Sequence, residues 1–348
     1  LDQRPHIGTT SGDVFSTIDG YQSMMAKIYA SFILKGDNKG GGDDISTFGG
    51  YELWRSYFNL QEGTTDVARF RWVSGDNLWG LCYLNWDEND GQNSDTYYRL
   101  YYTVSLCNEY LRNCADTSKF SAEEQAEIAL YAAETRFMRA MCYEMVLDLY
   151  RQGPFVDENT PTSGVFPPAY DAAALVKFVE DEITAILPQL PDHPQYGRAG
   201  KGAAYALLAR MYLNAETYTG TPRYDDCIAN CKNVMALGYT LEQDWKKLFN
   251  ADNDKRTNEI IFAFISDSTE AVTWGGGTYL VCGSVGSDNG QNGPDYGINT
   301  GWGNFRASGQ FYDLFDDNDG RRLFFTEGQD QYISNSIEDG KQGYHMYK

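Results

Sequence analysis

The sequence predicts a mostly α-helical protein in which helical hairpins form a scaffold, while irregular loops and short strands form one face. Over residues 133–149 an apolar side chain recurs at every fourth position, which predicts an amphipathic helix that buries one stripe. In residues 200–214, Ala203, Ala206 and Ala209 are small enough to let a neighbouring helix approach closely. Other stretches are rich in glycine, asparagine and aspartate, which is typical of loops.

The predicted helices follow one another with short turns between them. Thr17 and Ser121 are placed to cap two of them, and two glutamates follow Ser121 in the first turn. The hairpin over residues 202–237 has roughly the 34-residue length of a tetratricopeptide unit, so the sequence predicts a tetratricopeptide-like α–α superhelix. The predicted helices span about 17–36, 95–113, 121–151, 170–187, 200–214 and 223–237.

The irregular face is predicted from five stretches. Residues 40–50 form a glycine-rich loop, and residues 51–92 read as irregular and rich in turns. Residues 259–265 and 279–282 are short apolar runs that predict two buried strands. Residues 283–303 are mostly glycine, asparagine, aspartate and serine, and predict a long loop.

Charge and aromatic content limit the classes of ligand. With 49 acidic and 28 basic side chains, the formal net charge is −21, so the chain has no excess of cations with which to bind a phosphate backbone. Nucleic acid is therefore not expected as a partner. Aromatic residues make up 15% of the chain, including 26 Tyr and 7 Trp, and such rings could stack on sugars or simply fill the core.

The seven cysteines do not form a metal-binding pattern. Cys227 and Cys231 are four residues apart on a predicted helix, but none of the three histidines lies near them in sequence. We expect free, mostly buried thiols and no zinc site. No run of residues approaches the ~20 apolar positions of a membrane span.

Two helical motifs and several loops resemble a known family. Residues 133–140 read Ala-Glu-Thr-Arg-Phe-Met-Arg-Ala and lead to Gly153-Pro154, while residues 198–204 read Arg-Ala-Gly-Lys-Gly-Ala-Ala. Both resemble motifs of the SusD-like (SusD/RagB) family, the surface glycan-binding lipoproteins of Bacteroidetes. The resemblance implies non-catalytic binding of starch or malto-oligosaccharides and delivery to a SusC-like TonB-dependent outer-membrane transporter. It also implies a place at the cell surface, with membrane contact only through a lipid anchor that precedes residue 1.

The resemblance also implies a domain organisation. Residues 1–348 are expected to form a single SusD-like domain that lacks its C-terminal part, because family members continue well beyond the position of Lys348. The helical scaffold would comprise about 13–36 and 95–250, and the glycan-binding loops about 40–92 and 265–310.

The loop motifs imply which rings bind glycan. Phe70-Arg71-Trp72 resembles the family's aromatic pair, which puts Trp72 at the central stacking ring and Phe70 at the outer one. The stretch from Trp274 to Gly283 and the one from Asn299 to Trp302 resemble two further loops, so Trp274 and Trp302 would complete an exposed aromatic arc. Tryptophan gives a large apolar face with few rotatable bonds. The competing interpretation is that all these rings belong to the core.

Polar ligands of the glycan are implied in the same way. The segment from Trp54 to Asn59 resembles a family stretch in which an arginine binds sugar hydroxyls, so Arg55 would lie at the edge of the arc. Asn77, or Asp76 if the loop is shifted, would take an amide position, and Asp43 or its neighbour Asp44 would supply an acidic contact.

No cofactor is required by this interpretation, but a structural Ca²⁺ is an open alternative. Residues 252–254 resemble a calcium-binding loop, with Asp254 as one ligand. Ca²⁺ needs six or more oxygens, so an acidic turn in contact with solvent is the other interpretation of this loop.

Three alternatives to starch binding remain open from the sequence. The chain could be a SusD-like protein for a different glycan, a protein scaffold without glycan binding, or a glycoside hydrolase with an aromatic cleft. A hydrolase needs two carboxyl groups about 5–10 Å apart across the scissile bond. No acidic residue of this sequence lies in a recognisable catalytic motif, so no enzymatic activity is expected.

Overall fold

The structure, a computed structural model, describes residues 10–36, 43–46, 51–267 and 269–347. Its contacts divide the chain into two compact units. The first unit holds residues 10–30, 100–241 and 257–265, and the second holds the described residues of 31–99, 242–256 and 266–347. The single-domain organisation inferred from the sequence stays a prediction.

Within the described residues the chain is mostly helical, and the strands are very short. The strands are β1 Ala68–Phe70, β2 Gly153–Pro154, β3 Ala169–Tyr170, β4 Phe305–Ala307, β5 Phe324–Phe325 and β6 His345–Met346. The α-helices are α1 Ser11–Val14, α2 Ile18–Ala30, α3 Leu53–Gly63, α4 Trp79–Cys82, α5 Gly91–Asn113, α6 Ala122–Tyr150, α7 Ala172–Ile186, α8 Lys201–Leu213, α9 Ala215–Thr219, α10 Tyr224–Ala236, α11 Gly276–Ser284 and α12 Gly309–Tyr312.

The first unit is built on the long helix α6, as the sequence predicts. The Ser121 hydroxyl accepts a hydrogen bond from the backbone N–H of Glu124 at 3.3 Å, and the Glu124 carboxylate accepts one from the N–H of Ser121 at 2.8 Å. This capping box satisfies backbone donors at the start of the helix. The helix ends where Arg151 adopts a left-handed conformation. Its apolar face, which includes Phe137 and Met145, is buried, and α6 packs against α7 and α2.

Helices α8 and α10 pack against each other as the predicted hairpin, and the close approach through small residues stays a prediction. Ala203 and Ala209 are buried and Ala206 is half-buried, and α8 packs against α10. α10 itself has no buried residue. The helical-hairpin fold predicted from the sequence is confirmed by this arrangement.

Secondary structure differs from the prediction at three places. Residues 53–63, predicted as irregular, form α3. The sequence pattern did not reveal this helix, because buried polar residues such as Asn59 interrupt its apolar period. Residues 279–282, predicted as a strand, lie within α11, where Tyr279 and Cys282 share the buried face at helical spacing. Residues 259–265, also predicted as a strand, form no β-strand. Short apolar runs do not by themselves distinguish strand from helix.

The strands pair two by two in antiparallel fashion. In the second unit β1 pairs with β4 and β5 with β6, and in the first unit β2 pairs with β3. All seven cysteines are free thiols. Among the described residues, none of the helices combines the length and apolar character that a membrane crossing requires.

Candidate functional site

The pairing of β1 with β4 brings two distant tryptophans together in the second unit. Phe70 lies opposite Phe305 in the register. The chain after β1 then stays beside the chain before β4, since the N–H of Trp72 donates to the Asn304 side-chain oxygen at 3.0 Å. Trp72 and Trp302 consequently lie next to each other although 230 residues separate them in sequence.

Helix α11 connects this pair to the third ring. The helix begins directly after Trp274, with Gly275 as its N-cap residue. At its other end, the carbonyl of Cys282 accepts a 2.6 Å hydrogen bond from the N–H of Trp302. One short helix therefore fixes the positions of both tryptophans.

The three rings form a tilted series, which we call the tryptophan arc (Trp72, Trp302 and Trp274). Trp302 lies 6.1 Å, centroid to centroid, from Trp72 at an interplanar angle of 32°. It also lies 6.1 Å from Trp274, at 45°. Trp274 is 66% exposed, while Trp72 and Trp302 are partly exposed. The predicted meeting of the three rings is confirmed, but Trp302 is the ring that contacts both others, whereas the family resemblance put Trp72 at the centre.

A buried carboxylate holds the loop that presents Trp274. Glu52 is only 4% exposed, and its carboxylate accepts hydrogen bonds from the Thr273 hydroxyl and, at 3.2 Å, from the N–H of Gly275. These two residues flank Trp274 on either side. A Cβ at position 275 would lie 2.2 Å from a Glu52 oxygen, so glycine is required for this close approach.

A buried polar network lies behind the arc. The Tyr279 hydroxyl donates to the Asn59 side-chain oxygen at 2.8 Å and accepts from the Asn304 amide at 2.9 Å. Asn304 also accepts from the Trp72 N–H, so the network reaches the backbone of the arc. Burial raises the pKa of Tyr279, which keeps its hydroxyl protonated and able to donate.

Arg55 is part of this support rather than an exposed ligand. Its guanidinium lies between the rings of Tyr51 and Tyr279, 4.1 and 4.3 Å from their centroids, and pairs with Asp76 at 2.6 Å. Only 10% of the Arg55 side chain is exposed. The prediction that Arg55 lies at the edge of the arc is therefore wrong, because ring stacking and ion pairing bury it beneath the surface.

Asp76 forms hydrogen bonds with Tyr51 and Arg55, so it belongs to the same support. Its carboxylate accepts from the Tyr51 hydroxyl at 3.0 Å and from Arg55. Burial, and next the charge of Asp76, raise the pKa of Tyr51 to about 12. Asp76 thus orients Tyr51 and Arg55, and its neighbour Asn77 is the better candidate for an amide ligand. Asn77 is half-buried in a turn and has a left-handed φ of 52°, which asparagine tolerates well.

Phe70 is a core residue, which corrects its predicted role as the outer ring of the arc. Its side chain is fully buried. The ring lies 5.9 Å from Phe305 and 6.2 Å from Phe58. It lies on β1, whose residue pattern alternates between buried and half-buried positions, and Phe70 points to the buried side. A sugar cannot reach this ring.

Two further predicted residues remain predictions. The Asp43 carboxylate pairs with Lys35 at 3.1 Å and is partly exposed, and its role as a glycan ligand stays untested. Asp254 is exposed in a 3₁₀ turn, and neighbouring Asp252 pairs with Lys255 and Arg256. In the part of the chain that the structure describes, no three His, Cys, Asp or Glu side chains are grouped for metal binding. Ca²⁺ also takes backbone and amide oxygens as ligands, so a Ca²⁺ site at Asp254 stays a prediction.

The sequence reasoning missed the supporting residues Glu52, Asn304 and Tyr279. Each of the three acts through a buried contact or through a partner that is distant in sequence. A local motif reveals neither kind of contact. The three glycines at 275–277, directly after Trp274, pointed to a special loop but not to the carboxylate that holds it.

Sequence comparison finds two relatives of the chain. The chain is 31% identical over 237 residues to the starch-binding protein SusD of Bacteroides thetaiotaomicron. The matched residues make up 67% of this chain and 41% of that protein. It is also 23% identical over 186 residues to the SusD-like protein P25 of Formosa agariphila, covering 49% of this chain and 31% of the relative. The chain thus spans less than half the length of either relative. No family model matches the chain.

Solved structures show the same fold. A SusD superfamily protein from Bacteroides thetaiotaomicron matches with a TM-score of 0.68 at 17% identity, over 95% of this chain and 69% of its own. A laminarin-binding SusD-like protein matches with a TM-score of 0.66 at 19% identity, over 94% and 71%. Surface glycan-binding protein A of Bacteroides thetaiotaomicron, solved with laminarihexaose, matches with a TM-score of 0.64 at 16% identity, over 88% and 63%. Taken with the sequence match, this fold means that the chain belongs to the SusD-like family.

Proposed function

We propose that the chain binds starch or malto-oligosaccharides by stacking sugar rings on the tryptophan arc. The observation that carries this proposal is the series of three neighbouring, partly exposed indoles tilted by 32° and 45°. Sugar C–H faces gain apolar contact on aromatic faces. A curved chain such as an α-1,4-glucan can follow successive tilts and touch all three rings, whereas a flat chain meets fewer of them.

The charge of the site favours a neutral ligand. Between Trp72 and Tyr98 the sequence contains no lysine or arginine. Arg71, just before this stretch, is paired with Asp288. A ligand rich in phosphate, sulfate or carboxylate would find few cations here, so shape and hydrogen bonding select the ligand.

We infer that the chain binds carbohydrate without catalysing a reaction, and the relatives whose names state an activity are named as binding proteins. The carboxylates described near the arc have structural partners: Glu52 holds Thr273 and Gly275, Asp76 holds Arg55, and Asp288 holds Arg71. A hydrolase would instead use one carboxyl as an acid and another as a base or nucleophile across the bond.

A β-1,3-glucan is the second candidate ligand. Two structural neighbours are described with laminarin or laminarihexaose, and such chains are also curved. The sequence match to a starch-binding relative is closer, at 31% identity, so starch is proposed first. Affinity electrophoresis in gels that contain amylopectin, pullulan, laminarin, dextran, inulin or xylan separates the candidates.

The expected result is retardation by amylopectin and pullulan, and clearly weaker retardation of Trp302→Ala. Retardation by laminarin alone would replace starch with a β-1,3-glucan. Migration unaffected by every polysaccharide, or equal retardation of wild type and Trp302→Ala, would overturn glycan binding at the arc. Circular dichroism of both proteins checks that the variant is folded.

We further propose that the whole protein works at the outer-membrane surface and passes glycan to a SusC-like TonB-dependent transporter. The support is family membership alone. Two observations in the native host test it: surface protease sensitivity of the protein in intact cells, and co-purification with a TonB-dependent transporter from outer membranes. A protein found only inside the cell envelope would contradict the surface location.

A further inference from the structure

We propose a second glycan-stacking surface, formed by Trp79, Tyr83 and Trp86 and separate from the tryptophan arc. This surface rests on the proposed function only in its choice of ligand class. We call it the α4 surface. It belongs to the second unit, like the arc, and no residue of it was identified from the family motifs.

Two rings of the α4 surface are stacked on each other. Trp79 begins α4, and Tyr83 is its C-cap residue four positions later. Side chains four residues apart on a helix lie one above the other. Their ring centroids are 5.0 Å apart with an interplanar angle of 17°. Although they cover each other, Trp79 is 47% and Tyr83 51% exposed, so their outer faces are open to solvent.

The chain then folds back across α4 and adds Trp86. Leu84 adopts a left-handed φ of 55°, and the N–H of Asn85 donates to the carbonyl of Gly80 at 2.9 Å. A Cβ at position 80 would lie 3.0 Å from the Cα of Trp86 and 2.3 Å from an Asp90 oxygen. Glycine thus permits the close approach that places Trp86 beside the helix. Trp86 is 48% and Leu84 61% exposed.

The size of the surface favours a sugar chain over a stable protein interface. Its three rings and the adjoining Leu84 side chain are each about half exposed. At roughly 200 Å² for a large side chain, they offer on the order of 400 Å². A stable protein interface buries about 800 Å² on each partner. A surface of this size matches a few sugar rings, and an exposed apolar patch of this kind marks an interaction site.

The chemistry around the rings also fits a neutral glycan. Asp87, Glu88 and Asn89 follow Trp86 directly, and all three are exposed. Carboxylates and amides accept or donate hydrogen bonds to sugar hydroxyls. The same acidic residues, with no cation from position 72 to 98, would repel an anionic membrane or polyanion.

The α4 surface is close enough to the arc for one long chain to reach both. Trp79 follows Trp72 by seven residues, which span at most about 25 Å. Hydrogen bonds from Asp76 N–H to the Trp72 carbonyl and from Leu78 N–H to the Val73 carbonyl, both 2.9 Å, compact this connection. Linked sites that engage one polymer raise its affinity through effective concentration. Polysaccharide should therefore gain more from the second surface than a short oligosaccharide does.

The test compares single and double variants on amylopectin gels, with laminarin gels in parallel. The variants are Trp79→Ala, Trp302→Ala, their double, and Phe166→Ala as a control for loss of an exposed aromatic ring elsewhere, since Phe166 is fully exposed. We expect Trp79→Ala to weaken retention by amylopectin at least about threefold, on the loose analogy of ~1–3 kcal/mol for a stacked ring. Phe166→Ala should match wild type.

The double variant separates the two sites. Trp302→Ala should still be retained weakly by amylopectin through the α4 surface. The double variant should lose this residual retention. If Trp79→Ala matches wild type in both backgrounds, the α4 surface does not bind glycan, whereas the arc stands as long as Trp302→Ala is impaired. If only Trp302→Ala has no effect, the arc fails and the α4 surface stands. Absence of retention for wild type on both gels would overturn both. A shift of Trp79→Ala from dimer to monomer in gel filtration, with unchanged retention, would assign the surface to a second copy of the chain instead.

Discussion

The backbone N–H of Gly275 donates a 3.2 Å hydrogen bond to the carboxylate of Glu52, a residue 223 positions earlier. Glu52 is also the N-cap residue of α3, but its side chain makes no capping bond there. Its hydrogen-bonding capacity serves the loop that presents Trp274 instead. The most exposed ring of the arc is thus held by a buried charge on another segment.

Gly275→Ala should lower the free energy of unfolding by about 1–3 kcal/mol, because the added Cβ displaces the Glu52 carboxylate and leaves buried partners unsatisfied. Urea denaturation measures the change. Gly277→Ala is the matched control, since its Cβ would meet no atom within 4 Å and alanine is favoured in a helix by up to ~1 kcal/mol. Equal effects of the two substitutions would show that the Glu52 contact does not hold the loop.

Phe70 and Trp274 should respond in opposite ways to truncation. Phe70 is fully buried and Trp274 is 66% exposed. Phe70→Ala should therefore cost about 3–5 kcal/mol of stability, as is usual for a buried phenylalanine. Trp274→Ala should cost little stability but reduce glycan affinity. Thermal unfolding and a glycan titration on each variant distinguish the two roles. A stable Phe70→Ala protein with lost affinity would restore Phe70 to the binding surface.

Stability should depend on pH through Glu144 in the first unit. Burial, opposed in part by Arg210, raises the pKa of this carboxyl to about 7, and the Arg210 Nε lies 3.2 Å away. Because the folded protein holds the proton more tightly than the unfolded chain, stability falls as pH rises from about 4.5 through about 7. The expected loss is up to about 3 kcal/mol.

Glu144→Gln removes this titration. Relative to wild type, the variant should gain up to about 3 kcal/mol between pH 5 and pH 8. Exposed Glu123 lies on the same helix, and Glu123→Gln should show no such gain. Denaturation curves at several pH values measure both differences. Parallel pH dependence of wild type and Glu144→Gln would mean that Glu144 is ionised at no cost in the folded state.

Sequence patterns predicted the helices well where apolar residues define one face, as in α6. They failed for α3, because its buried face includes the polar residues Ser56 and Asn59, and for α11, whose apolar run is too short to have a clear period. The arc rings were found because their segments resemble the family's loop motifs, and the glycines next to Trp274 and Trp302 indicated exposed loops. Arg55 and Phe70 were misplaced because a matched motif gives a residue type and position but not the depth at which its side chain lies.

The most direct test of glycan binding by the arc is calorimetric titration with maltoheptaose and with α-cyclodextrin. Wild type is compared with Trp72→Ala, Trp274→Ala and Trp302→Ala. Affinity is expected to be weak, because ordering a flexible oligosaccharide opposes stacking at an exposed site. If each stack contributes roughly 1–3 kcal/mol, each variant should bind several-fold to about a hundredfold more weakly, with the largest loss for Trp302→Ala. Unchanged affinity in all three variants would contradict glycan binding at these rings.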